Sequence, residues 1–140
     1  MRVVILGCGR VGARLAGMLD AESHKVSVID TTLEAFERLP ASFSGKVVLG
    51  EGVDYDILRE AGIERADAFV AATQGDNRNI MASQIAKHLF GVKNVVTRVY
   101  DPLRADTFAT LGLRAISPTL LGANRFFEEV TGEPAQQGRT

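Results

Sequence analysis

Short, unbroken apolar runs alternate along this chain with longer stretches whose apolar residues recur three or four apart. The first pattern suits strands buried on both faces, the second amphipathic helices. Val3-Val4-Ile5-Leu6 predicts a strand over Arg2–Leu6, and Val11, Leu15, Met18 and Leu19 predict the apolar face of a helix over 10–20. A second strand is expected over Lys25–Asp30, then a short helix over 33–39 that Pro40 stops. Strand three falls at Lys46–Leu49. Asp54 caps a helix running to Glu60, which Gly62 ends. Strand four is expected over 68–72 and a long helix over 76–90. Strand five follows over 94–99, a helix over 102–111, a last strand over Arg114–Ile116 and a final helix over 118–130.

Six strands with helices between them predict an α/β domain with a doubly wound, six-stranded parallel sheet of Rossmann type. Right-handed crossovers give the order 3-2-1-4-5-6, with a ligand crevice where strands one and four diverge. One domain is expected over 1–131. The remainder, 132–140, has almost no apolar content and is expected to be disordered.

Strand one runs straight into Gly7-Cys8-Gly9-Arg10-Val11-Gly12, a G-x-G-x-x-G turn opening a helix. Gly7 permits the tight turn, Gly9 lets the main chain approach a diphosphate, and Gly12 lets the helix pack close to the strand. Arg10 and Val11 fall in the helix's first turn, where unpaired N–H groups favour anions. Strand two ends in Asp30, eighteen residues past Gly12, where a carboxylate accepts both hydroxyls of an adenosine ribose. Thr31 or Thr32 serves as helix cap, which leaves Asp30 for the sugar. An acid there also opposes NADP, since no arginine follows before Arg38.

The other strand ends add candidates. Gly50, Gly52, Val53 and Asp54 follow strand three; the glycines admit an adenine, and Val53 or Asp54 touches its edge. Asp54 serves equally as a plain helix cap. After strand four, Ala72 leaves room, Thr73 offers a hydroxyl and Asn77 reaches a phosphate, with Asp76 as N-cap of the long helix. On strand five, Arg98 either binds phosphate or pairs with Asp76 or Asp101.

Composition narrows the class. A net charge of −1 shows no basic excess and does not favour nucleic acid. No apolar run approaches eighteen residues, and with no signal peptide a cytoplasmic protein is expected. The single cysteine, Cys8, excludes an internal disulfide and a cysteine-built metal site. A thiol beside a helix N-terminus can have a lowered pKa, but a small residue beside the phosphates is the favoured role. His24 and His88 have no partners at metal spacing.

Catalytic groups are missing. Tyr55 and Tyr100 are followed four residues on by Arg59 and Arg104, so the Tyr-x-x-x-Lys pair of short-chain dehydrogenases is absent. No substrate domain or nucleophile set appears. The nucleotide is expected to be a signal, with an oxidoreductase completed by another chain, or an assembly module with a vestigial site, as alternatives.

Taken in order, the glycine turn, Val28-Ile-Asp30, Gly50-Glu-Gly-Val-Asp54, Ala71-Ala-Thr73, Asn79-Ile-Met-Ala, Val96-Thr-Arg98-Val-Tyr-Asp-Pro102 and Ile116-Ser-Pro118 form a distinctive series. It resembles the N-terminal nucleotide-binding half of the domain that regulates potassium conductance in Trk/Ktr-type uptake systems and ligand-gated potassium channels. The resemblance covers about 1–130. It implies a non-enzymatic, cytosolic subunit that binds NAD or NADH first, and ATP, ADP or AMP as alternatives. It also implies a homo-oligomer, a dimer or a ring, at the inner face of the membrane on a potassium transporter or channel. Asp30 then matches the ribose acid, the three glycines the phosphate loop, and Arg98 a phosphate-binding arginine. Leu120, Leu121, Phe126, Phe127 and Val130 match a dimer-forming helix; packing on the chain's own sheet would account for half of them. Family members usually add a C-terminal small-ligand domain, so this chain is a one-domain regulator or a piece of a longer one. Where some members carry a metal-binding acid after the Ser-Pro step, this chain has Thr119, which disfavours a metal-dependent ATP mode.

Overall fold

The computed structural model describes residues 1–136. Six strands, β1 (Arg2–Leu6), β2 (Lys25–Asp30), β3 (Lys46–Leu49), β4 (Ala68–Ala71), β5 (Asn94–Arg98) and β6 (Arg114–Ile116), form one sheet. The order is β3-β2-β1-β4-β5-β6 and every pairing is parallel. Leu6 pairs with Ile29 on one side and Ala71 on the other, and Ala71 with Thr97. The carboxyl ends of β1, β2, β4 and β5 therefore share one rim.

Side chains alternate across this sheet as the pleat requires. Val3, Ile5, Val26 and Val28 pack on one face under α1 (Arg10–Ala21) and a 3-10 helix, Leu33–Arg38. Val4, Leu6, Ile29, Val48 and Phe69 pack on the other, with Leu58 of α2 (Tyr55–Glu60), Ala82 of α3 (Asp76–Gln84) and Phe108 of α4 (Ala105–Thr110). The expected long helix is continuous, but its last turn, Ile85–Leu89, is π-helical.

The expected face of α1 needs correction. Val11 and Met18 are exposed, and the buried positions are Gly12, Ala13 and Ala16. Close approach governs this helix: a Cβ on Gly12 would overlap the Gly7 carbonyl. Leu15 and Leu19 pack at the margin of the core as expected.

The last helix, α5 (Pro118–Thr131), is capped by Ser117, whose Oγ accepts the Leu120 N–H, and Gly132 ends it in the left-handed region. None of its residues is buried. Packing on its own sheet was expected to absorb half of its apolar side chains; instead Leu121, Phe126, Phe127 and Val130 are exposed and Leu120 is half-buried. Residues 132–136 have no regular secondary structure; the remainder of the expected disordered tail, 137–140, lies outside the described residues. Among the described residues no helix is long and apolar enough to cross a membrane.

Candidate functional site

The rim opens into a cleft of about 1090 Å³. Its floor is the glycine turn. Gly7 has φ +105°, which a side chain rarely adopts, and a Cβ there would stand 2.8 Å from the Ala72 carbonyl oxygen. Gly9 differs: it lines the cleft, yet an added Cβ would meet no protein atom within 4 Å. As N-cap of α1, Gly9 supplies no side chain to the first-turn N–H groups, and Arg10 and Val11 line the cleft beside it. This leaves main-chain donors and the positive end of α1 facing the cleft, an arrangement that favours an anion.

Asp30 closes one end. It was expected to be free for a sugar, with Thr31 or Thr32 capping the next helix. Instead Oδ2 accepts the Cys8 N–H at 2.8 Å and Oδ1 accepts the Thr32 N–H at 3.0 Å, and Thr32 itself makes no side-chain cap. A carboxylate oxygen has capacity for a second donor, so the cleft still presents an acceptor pair there. Thr31 lines the same end. Arg38, set aside as too distant in sequence, reaches it too: Nη1 stands 3.5 Å from the Cys8 carbonyl oxygen. The tight 3-10 turn, ending at Arg38, brings this side chain back over the glycine turn. Glu34 and Glu37 line the cleft as well.

Cys8 is fully buried beneath. Burial first, and then the Asp30 carboxylate, push its thiol up to about 11, against a smaller opposing pull from Arg38. The lowered pKa considered for a thiol beside a helix N-terminus is thus corrected: desolvation outweighs the helix end, and Cys8 is a small core residue.

The far end is formed by β4 and β5. Ala72, Thr73 and Arg98 line it, and so do Gln74, Arg78 and Tyr100, which the sequence did not single out; Gly52, the loop glycine after β3, lines the cleft beside Leu6 of β1. Tyr100 was legible in principle, since it lies two residues past Arg98 on the same side of an extended chain. Asn79 fixes this end from below. It is fully buried: Oδ1 accepts the Thr73 N–H (3.0 Å) and hydroxyl (2.6 Å), and Nδ2 donates to the carbonyls of Thr73 (3.0 Å) and Arg98 (3.2 Å).

Other candidates lie elsewhere. Gly12 is beneath the turn and serves packing. Val53 packs against the core and does not line the cleft. Asp54 caps α2, accepting from Asp56 (2.8 Å) and Ile57 (3.4 Å), and is also away from the cleft. Asn77 points to Arg104 at 3.5 Å, outside the cleft. Asp76 is not the N-cap of α3, whose cap is Gly75 with no side-chain bond. Its carboxylate accepts the Tyr100 N–H at 2.7 Å and the Asp101 N–H at 3.3 Å, with Arg104 at 3.9 Å. Arg98 is therefore not Asp76's ion-pair partner, and Asp101 is engaged with the Leu103 N–H. Among the described residues no cluster of three His, Cys, Asp or Glu could hold a metal.

Comparison with known proteins places this geometry in a family. The chain is 45% identical over 136 residues to the Trk system potassium uptake protein TrkA of Streptomyces coelicolor, covering 97% of this chain and 61% of that protein. It is similar to the crystal structure of GsuK bound to ADP, with TM-score 0.79 and 26% identity over 94% of this chain and 34% of that one. It is likewise similar to the GsuK channel bound to NAD, with TM-score 0.77 and 27% identity over 91% of this chain and 22% of that one. The chain thus spans about three fifths of the uptake protein's length. With residues 3–118 matching the TrkA-N domain, this chain belongs to the TrkA-N family.

Proposed function

We propose that this chain is the nucleotide-sensing unit of a potassium-uptake regulator, and that its ligand is NAD or NADH, with ATP, ADP and AMP competing for the same cleft. The observation that carries this reading is Gly9. Gly7 and Gly12 are glycine for internal reasons, whereas a Cβ on Gly9 has room within the protein and would project where a ligand's phosphates lie. Asp30 would hold the adenosine ribose, and the first turn of α1 the diphosphate. The similar GsuK structures, with ADP in one and NAD in another, support the same use of this cleft.

The chain acts as a regulator and not as an enzyme. Ligands bias two shapes of a homo-oligomer, a dimer or a ring of dimers, which sits on a membrane potassium transporter or channel at its cytoplasmic face. Exposed Leu121, Phe126 and Val130 on α5 supply apolar surface for such an assembly. A switch requires unequal affinity for the two shapes, so NAD against NADH, or ATP against ADP, must bind unequally. A calorimetric panel of NAD, NADH, ATP, ADP and AMP tests this. Micromolar or tighter binding with an unequal ranking is expected. Binding to none of the five would refute the sensing role, and hydride transfer from NADH to a carbonyl panel would make the chain part of an oxidoreductase.

A further inference from the structure

Arg98 ends β5 inside the cleft and is short of partners. A guanidinium carries five N–H donors. Among the described residues none of these meets a protein acceptor, and Nε is buried without one. The carboxylates nearby are engaged, Asp76 by the 100–104 segment and Asp101 by Leu103. What Arg98 does have is a ring: its Cζ lies 4.2 Å from the centroid of Tyr100. A π face holds a cation more weakly than an oxyanion does, because an oxyanion forms charge-assisted hydrogen bonds.

The main chain around this pair is pinned. Asn79 holds the Arg98 carbonyl, Asp76 holds the Tyr100 N–H, and the intervening Val99 N–H donates to Ile116 of β6 at 3.0 Å. Only the two side chains are left to change partners. Tyr100 is 37% exposed and stands three residues before Leu103, which is 79% exposed. The ring thus lines the cleft and is in part open to solvent.

Resting on the nucleotide reading above, we propose that Tyr100 is a positioning residue that holds Arg98 until a phosphate-bearing ligand draws the guanidinium away. The ring then competes with phosphate for the guanidinium and is released when the cleft fills.

The sequence contains no tryptophan and two tyrosines, so a Tyr55→Phe variant with ring-labelled tyrosine has Tyr100 as its single reporter. This variant is titrated with ADP, and with adenosine as the phosphate-free comparison, by NMR and by calorimetry. The Tyr100 ring signals are expected to move along the ADP binding curve and far less at saturating adenosine. Tyr100→Leu is expected to tighten ADP about two- to fivefold, the worth of an exposed cation–π contact. Adenosine affinity should not change, and Tyr100→Phe should match wild type. ADP binding with unmoved Tyr100 signals overturns the proposal and leaves the nucleotide reading standing, as does unchanged or weaker ADP binding in Tyr100→Leu. ADP failing to bind while another nucleotide of the panel binds overturns the proposal alone; failure of all five nucleotides to bind overturns both.

Discussion

Asn79 and Arg98 are joined through main chain: Asn79 Nδ2 donates to the Arg98 carbonyl at 3.2 Å, across the gap between α3 and the end of β5. The same amide pairs with Thr73 at the end of β4, so one side chain holds together two strand ends that line the cleft. Asn79→Ala removes all four bonds and leaves part-buried main-chain groups unpaired. Stability is expected to fall by about 1–3 kcal/mol, read as a lower denaturant midpoint. Asn79→Asp keeps the acceptor and loses the two donations, so its loss should be at least as large at neutral pH, where a buried charge is added.

Asp30→Ala is expected to weaken adenosine-ribose ligands by about 1.5–3 kcal/mol, the range for a hydrogen bond to a charged group. Because Asp30 also holds the N–H groups of Cys8 and Thr32, thermal stability should fall with it. Calorimetry and a thermal melt on the same sample separate the two effects. Unchanged affinity would remove Asp30 from the site.

The glycines of the turn should separate cleanly. Gly9→Val is expected to fold with near wild-type stability and to lose nucleotide binding. Gly12→Ala should fail at the level of folding, since its Cβ has no room beneath the Gly7 carbonyl. Thermal melts of the two variants check this; a destabilised Gly9→Val would mean that this position too is constrained from within.

Cys8 gives a pH test. Its thiol pKa in the fold is raised from 9.0 to about 11, while in the unfolded chain it stays near its ordinary value. The unfolded state therefore releases this proton first, and between about pH 9 and 11 the Cys8 contribution to stability is lost as pH rises. Below pH 9 it is fully present. Cys8→Ser should flatten that part of the stability profile, and native Cys8 should react slowly with thiol reagents at pH 8.

Much of this architecture is legible in the residues. Apolar runs such as Val3–Leu6 and Phe69–Ala71, with glycines behind them, mark strands and turns because both faces of the sheet are buried. The cleft floor follows from Gly7, Gly9 and Asp30 for the same local reasons. What was illegible depends on distance in space. Asp76 has the look of a cap, yet it serves the Tyr100 and Asp101 N–H groups, partners set by how β5 leaves the sheet. Helix α1 misleads for a different reason: hydrophobicity favours Val11 and Met18, while close packing selects Gly12, Ala13 and Ala16. Arg38 enters the cleft only because its helix is 3-10, which periodicity over six residues does not reveal.

A fourteen-residue helix with no fully buried residue has one further implication. Helices of that length are marginal in water when they stand alone. The Ser117 cap and the ties from Arg125 to Glu128 and Glu129 each add only tenths to about 1 kcal/mol. In a solitary chain, the amide protons of α5 should therefore trade with solvent deuterium long before those of β1, and a slowing of that exchange on self-association or on contact with another protein would locate the surface that the helix covers.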